Sequence, residues 1–488
     1  MRAAGSTPAG GRRWAVALAA GAFAALAFPE VASAHALVGR QDLPVPTWLF
    51  AWGASLVLIV SFALLSVAWT EARLQREDWR PVSSALSRTL TGPVTQFLCG
   101  LIGVGLWVLV LYAGVSGTDD PPYNFAIVFV FYTFWLGMVL VSVLFGDVFR
   151  AFNPWRGVGR VFSGAFRMVA GQPAPAPFTY PDRLGRWPAV VGVLGFVWLE
   201  LVSGGVASSP SPQTVAIATA VYSAITFACM ALFGVDEWIR RGEAFSAYFE
   251  MFSRLAPFEV RDGRLGIRKF LTGPPSWAGV PGAAALVLAS IAVTSFDGSQ
   301  EGAFEGAISW TIERAGDIGL SLSNSIRIAD SIWLAIVFAG VSGLYWLGVR
   351  GMHTVRGSPE ARELGRSFAH TLIPIALAYL VAHYFSAFVY QEQAQFTYIL
   401  SDPLGDGSDL FGTAGYGIDY GVISSNTVWY VQVASLVIGH VVALTLAHDR
   451  ALAVYDNVRD ASRSQYFMLA VMVGFTCFGL YLLSAANA

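Results

Sequence analysis

Four of the six histidines in this 488-residue chain fall on two neighbouring apolar segments. His370 and His383 lie on the first segment, and His440 and His448 lie on the second. An ionisable side chain inside a membrane span is costly unless it is paired, so each of these histidines is a functional candidate. Neutral imidazoles from adjacent helices can ligate haem iron or copper. This intramembrane histidine cluster is the strongest chemical signal in the sequence.

Depth along the two segments indicates which histidines can meet, provided that the two helices lie side by side. With about 1.5 Å of rise per residue, His383 lies about 10 Å and His440 about 20 Å from the end where the segments are joined. His370 and His448 both lie about 30 Å from that end, where haem b or copper could sit between them. His370 and His383 point about 140° apart unless Pro374 kinks the helix. An interfacial position for His448, which Asp449 and Arg450 follow, hydrogen bonds from His440 and His383 to neighbouring helices, a proton relay and a substrate contact remain alternatives.

Carboxylates supply two further sets of candidates. Glu200 is the clearest intramembrane carboxylate, and it is predicted to serve as an acid, a base or a cation ligand, or to lie near the outer interface. Asp402, Asp406 and Asp409 belong to one stretch that is rich in turn-forming residues. These three carboxylates are either metal ligands that act with His383 and His440 or the acceptors of an Asx-turn-rich loop.

The N-terminus has the pattern of an export signal. Arg12 and Arg13 precede a short apolar stretch and then the small residues that signal peptidase requires, which predicts a cleaved signal peptide over residues 1–34. Cleavage would leave His35 as the first mature residue, with an α-amine and an imidazole available to copper. Within the chain, His383 is the second histidine that could complete such a copper site.

The composition predicts the elements that must position these residues. Hydrophobic residues make up 55% of the chain and charged residues 13%, and the mean hydropathy is +0.57. This composition is typical of an all-α integral membrane protein, and the near-neutral charge gives no indication of a nucleic-acid partner. Ten segments approach the ~20 residues that a membrane span requires. They lie near residues 47–69, 95–115, 124–145, 188–203, 214–234, 277–296, 331–349, 369–390, 427–447 and 466–485.

Connections that are rich in arginine alternate along the chain with connections that are poor in it. Five connections are strongly basic, and the positive-inside rule places all five in the cytoplasm of a bacterial cell. The mature N-terminus and the C-terminus are then both outside the inner membrane, together with two larger loops over 297–330 and 391–426. One basic connection carries an aromatic segment over 245–258, which is predicted to be an interfacial helix.

The mature chain resembles a bacterial multi-pass membrane family whose members are commonly labelled fenitrothion hydrolase. The resemblance extends over nearly the whole mature chain and rests on His35–Pro46, Trp48–Gly53, Asn153–Arg156, Arg241–Ser246, Ser253–Pro257 and Ser401–Gly405. It implies hydrolysis of an organophosphorus ester at the membrane, but it assigns no catalytic residue. Metal-assisted hydrolysis would draw on the histidine helices and on the carboxylates of the 401–409 stretch.

Three hypotheses of function therefore follow from the sequence. The first is a protein that binds haem or copper for electron transfer or metal handling. The second is the membrane-bound hydrolase that the resemblance implies. The third is a transporter or an assembly protein without catalytic activity. The lipid bilayer is the one partner that the composition itself predicts.

Overall fold

The computed structural model describes residues 47–76, 78–172, 176–300 and 302–486. The predicted signal peptide and His35 lie outside the described residues. The helices, in chain order, are α1 (Thr47–Ala68), α2 (Ser84–Thr91), α3 (Pro93–Ser116), α4 (Phe125–Phe145), α5 (Phe149–Phe152), α6 (Pro154–Ala170), α7 (Trp187–Leu201), α8 (Pro212–Phe233), α9 (Val235–Arg241), α10 (Ala244–Ser253), α11 (Ala283–Gln300), α12 (Glu305–Asp317), α13 (Leu322–His353), α14 (Ala361–Phe368), α15 (Ile373–Ala394), α16 (Ser425–Val454) and α17 (Val458–Ala486).

Short irregular helices and one small sheet complete the described chain. Turns of 3-10 helix occupy Pro121–Tyr123, Gly205–Ala207, Pro274–Ser276 and Ala369–Leu372, and π-helical segments occupy Phe129–Gly137, inside α4, and Gln395–Ile399, after α15. The strands are β1 (Trp79–Pro81), β2 (Phe258–Arg261) and β3 (Arg264–Arg268), and they pair antiparallel in the order β1-β3-β2.

Each of the ten predicted segments overlaps a helix, and nine helical segments of the described residues are long and apolar enough to cross a membrane. The exception is α7, which has 15 residues. At about 1.5 Å per residue, α7 is shorter than a hydrocarbon core of about 30 Å. The chain is therefore a helical, multi-pass membrane protein, in which α7 does not reach both surfaces by itself.

The Arg-rich connections meet at one end of the bundle, which we call the basic end. On α16, Asp449 Oδ1 accepts a hydrogen bond of 2.6 Å from the amide of Arg73, and Arg450 Nε lies 2.7 Å from Ser367 Oγ. Strand pairing joins β1 to β3, and Asn153 Nδ2 donates to Glu243 Oε2 at 3.1 Å. These contacts link all five basic connections, so the structure agrees with the alternation predicted from arginine.

Helix α11 lies in the interior of the bundle, where it packs against α7, α13 and α15. Most of its residues are buried, and its length is rich in alanine and serine. Small side chains let neighbouring helices approach closely in a membrane. Helix α11 is therefore the central helix of the bundle, and polar residues of the neighbouring helices lie beside it.

Helices α15 and α16 lie side by side, as the depth argument requires. They approach closely at Gly439, where a Cβ atom would lie 2.3 Å from Ala378 Cβ and 2.8 Å from the carbonyl oxygen of Pro374. Pro374 does not kink a continuous helix, because the chain is 3-10 helical through Leu372 and Pro374 lies in the first turn of α15. Proline is tolerated there because the first-turn amides lack intrahelical partners.

We expect Gly439→Ala to separate α15 from α16 and to lower the free energy of unfolding by about 1–3 kcal/mol. Thermal unfolding of the detergent-solubilised protein measures this change. Gly340→Ala is the matched control, because Gly340 is also helical and no atom lies within 4 Å of its added Cβ. Equal midpoints for the two variants would contradict the close approach at Gly439.

Two parts of the chain differ from the sequence-based expectation. The segment predicted to be an interfacial helix contains α10, in which every residue except Glu250 is buried within the protein. Its aromatic side chains pack against other aromatic rings, as in the stack of Tyr248 on Trp135 at 4.3 Å. The loop predicted over 297–330 is largely helical, because it contains the end of α11, all of α12 and the start of α13.

Candidate functional site

Asp297 joins two helices through a polar cluster in the bundle interior. Its Oδ2 atom lies 2.8 Å from His383 Nε2 and accepts a hydrogen bond of 2.7 Å from the hydroxyl of Tyr384. The side chains of His383 and Asp297 are 28% and 21% exposed, so the pair is not sealed inside the protein. A carboxylate that orients an imidazole in this way stabilises the imidazolium ion when the ring takes up a proton.

Glu200 adds a second carboxylate from α7. Its Oε2 atom is buried and has no hydrogen-bond partner among the described residues. Glu200 is near enough to Asp297 for the two carboxylates to repel each other, and Tyr132, Tyr248 and Tyr384 are within electrostatic range of it. One imidazole cannot neutralise both carboxylates, so the cluster is suited to hold a proton or another cation.

Local backbone features position this cluster. Gly298 follows Asp297, and a Cβ atom there would lie only 3.3 Å from His383 Nδ1, so glycine leaves room for the ring. The π-helical segment Phe129–Gly137 carries Tyr132 on α4. Segments of π-helix inside α-helices occur often at functional sites, because the extra residue changes where the side chains of the following turn are directed.

The other three predicted histidine ligands have separate environments. His440 Nδ1 lies 2.7 Å from the Leu436 carbonyl oxygen of its own helix, and His448 Nε2 lies 3.0 Å from the Trp69 carbonyl oxygen. His370 is buried near the basic end, and its Nε2 atom has no hydrogen-bond partner in the part of the chain that the structure describes. Among the described residues, no group of three or more His, Cys, Asp or Glu side chains is placed to hold a metal ion. The structure therefore does not bring the four imidazoles into one cluster.

The three predicted loop carboxylates accept hydrogen bonds from their own loop. Asp402 accepts from the amides of Asp406 and Gly407 at 3.0 and 2.8 Å, and Asp409 accepts from the hydroxyl of Ser401 at 2.5 Å. Burial raises the pKa of Asp402, but these amides outweigh it and lower that pKa overall. For Asp409, the hydroxyl of Ser401 is the main reason that the pKa is lowered. This geometry is that of the Asx-turn-rich loop, and the metal role of these residues stays a prediction.

Sequence reasoning identified His383 and Glu200 but missed Asp297 and Tyr384. Asp297 was placed at the start of an exterior loop, whereas α11 continues to Gln300 and carries Asp297 inside the bundle. The local sequence gives no signal of this continuation, because Asp297, Gly298 and Ser299 are residues typical of turns. The contact with His383 was not visible, since 86 positions separate the two residues in the chain.

The comparisons with known proteins bring no further assignment. No family model, no curated protein and no solved structure matches the chain.

Proposed function

We propose that this multi-pass membrane protein moves protons across the membrane, and that the cluster of Asp297, His383, Tyr384 and Glu200 takes up and releases them. The observation that supports this proposal is the Asp297–His383 hydrogen bond beside an unpaired buried oxygen of Glu200. Ionisable residues within a helical bundle are characteristic of proton relays in pumps and transporters. In a bacterial cell, the positive-inside rule would direct the basic end toward the cytoplasm.

Polar groups extend from the cluster toward the basic end. Tyr248 on α10 is within electrostatic range of Glu200 and Tyr384, and its hydroxyl lies 3.5 Å from Ser290 Oγ on α11. Hydroxyl groups can donate and accept hydrogen bonds at once, so this series provides steps for a proton through an otherwise apolar interior.

Proton flux in proteoliposomes tests the proposal. Purified protein would be reconstituted in vesicles that contain a pH-sensitive dye, and a potassium gradient with valinomycin would impose a membrane potential, negative inside. We expect the vesicle interior to acidify faster than in protein-free vesicles of the same lipid. Equal rates in the two preparations would disprove the proposal.

Hydrolysis of an organophosphorus ester is the second candidate function, and the environment of His383 favours it. A partly exposed imidazole oriented by Asp297 has the arrangement of a general base that activates water. If the protein acts in this way, detergent-solubilised protein should release a nitrophenol from a nitrophenyl phosphotriester, and His383→Ala should lower the rate by about 100-fold or more. His440→Ala is the control, since His440 bonds only within its own helix. Absorbance of the nitrophenolate measures both rates.

Haem or copper binding has less support from the geometry. Within the described ranges, the imidazoles of His370, His440 and His448 each have one ring nitrogen without a hydrogen-bond partner, which is the atom that a metal would use. Their other contacts involve different parts of the bundle. Metal analysis and the visible absorption spectrum of the purified protein test this hypothesis, and colourless, metal-free protein would exclude it.

A further inference from the structure

A cavity of about 330 Å³ lies at the basic end, between the chain near α5, helices α9 and α10, and strands β2 and β3. We call it the arginine cavity. Its lining contains more arginines than carboxylates, with a formal excess of three positive charges. The charged lining residues are Arg150, Arg186, Arg240, Arg241, Arg254 and Arg268, with Asp147, Glu250 and Glu259.

The inner wall of the arginine cavity is held together by ion pairs. Arg186 Nη2 lies 3.0 Å from Glu250 Oε2, and Arg254 Nε lies 2.8 Å from Glu250 Oε1. Arg254 and Arg268 also reach Glu259, at 3.3 and 3.4 Å. Burial opposes ionisation of Glu250, but Arg254 and Arg186 outweigh it and lower its pKa to about 2. Glu250 is therefore fully charged at neutral pH and fixes both guanidinium groups.

One buried guanidinium nitrogen of this wall has no partner among the described residues. It is Nη1 of Arg186, in a side chain that is 7% exposed, whereas Nη1 of Arg268 lies 3.4 Å from Glu259 Oε2 in an ion pair. The guanidinium of Arg186 is also fixed over the ring of Trp277, 4.5 Å from its centroid. Leaving a charged donor buried without an acceptor is costly, so the fixed guanidinium of Arg186, with its free Nη1, points to an anion that binds there.

The rim of the arginine cavity is more exposed and partly neutralised. Arg241 Nη1 lies 2.6 Å from Asp182 Oδ1, and Arg240 pairs with Glu237. Arg150 is exposed, and its guanidinium has no ion-pair partner among the described residues. The positive charge that is available to a ligand is therefore greatest at Arg186 on the wall and at Arg150 on the rim.

We propose that the arginine cavity binds a phosphate group, carried either by the headgroup of an anionic phospholipid or by a soluble phosphate compound. The planar guanidinium group presents pairs of N–H donors that match phosphate oxygens, and several arginines around one cavity can share one multiply charged group. The basic end is also where anionic headgroups accumulate on a bilayer. This site is distinct from the proton cluster and does not depend on the proposed proton transport.

Thermal unfolding of the full chain in nanodiscs distinguishes the two sources of phosphate. One arm adds inorganic phosphate to nanodiscs of phosphatidylcholine, and the other replaces part of that lipid with phosphatidic acid. We expect the unfolding midpoint to rise by about 2–4 °C in at least one arm. A rise with inorganic phosphate indicates a soluble ligand, and a rise with phosphatidic acid alone indicates a lipid headgroup. No rise in either arm would overturn the proposal.

Charge variants locate the effect in the arginine cavity. Arg186→Gln should weaken the binding of whichever probe is active by about tenfold or more, because it removes a buried charged donor. If that variant does not fold, Arg150→Gln tests the exposed rim instead, while Asp147→Asn should tighten binding by removing a negative charge from the lining. Arg362→Gln is the control, since Arg362 is exposed at the same end and does not line the cavity. An equal loss in this control would overturn the proposal.

Discussion

Asp297→Asn should lower proton flux in proteoliposomes by at least about 100-fold, which is the smaller end of the effects seen when a proton-transfer group is removed. Asparagine has nearly the same shape as aspartate, and its carbonyl oxygen can still accept the hydrogen bond from Tyr384. It cannot bind a proton at neutral pH, and it supplies no negative charge to stabilise the imidazolium form of His383. The substitution therefore removes the chemistry of the site while it retains the packing.

Two controls separate this effect from a general loss of function. Asp402→Asn makes the same chemical change in the Asx-turn loop, where the carboxylate bonds to backbone amides outside the helical bundle. His440→Gln replaces a fully buried histidine on the helix adjacent to α15. Both variants should keep most of the flux. A folded Asp297→Asn protein that conducts protons at the rate of the unmodified protein would show that the cluster is not the route.

Asp449→Ala should destabilise the protein by about 3–5 kcal/mol, the typical cost of removing one partner from a buried charged network. Asp449 is fully buried at the basic end, and its Oδ1 accepts from Trp69 Nε1 at 3.0 Å and from the amide of Arg73. Its Oδ2 accepts from the amide of Leu74 at 3.1 Å and from Gln75 Nε2 at 2.9 Å. Alanine would leave all of these donors unpaired.

Size-exclusion chromatography after heating measures this loss as a lower temperature at which the monodisperse peak disappears. Asp456→Ala is the matched control, because Asp456 is an exposed carboxylate at the same end of the bundle. Its peak should survive to the temperature of the unmodified protein. If Asp449→Ala behaved like this control, the connection after α1 would not depend on the buried carboxylate for its conformation.

The sequence predicts His448 as a ligand, but in the structure the residue that makes the larger set of hydrogen bonds is its neighbour Asp449. A histidine, an aspartate and an arginine follow one another at the end of an apolar run, which predicts an interfacial position. In the folded chain, Asp449 is instead enclosed by the connection that follows α1. No pattern within the segment around Asp449 specifies this partner, because the two contacting segments are more than 370 positions apart.

The sequence by itself determined the helical segments and their alternation. Both properties are local. The length of an apolar run decides whether its helix can span the membrane, and the arginines beside the run decide which connections lie on the same side of the membrane. The tertiary structure alone decided which polar groups meet, because that depends on the rotation and the neighbours of each helix. His383 therefore pairs with Asp297 from α11 and not with the histidines of α16, and Arg186 meets Glu250 from an element predicted to lie on the membrane surface.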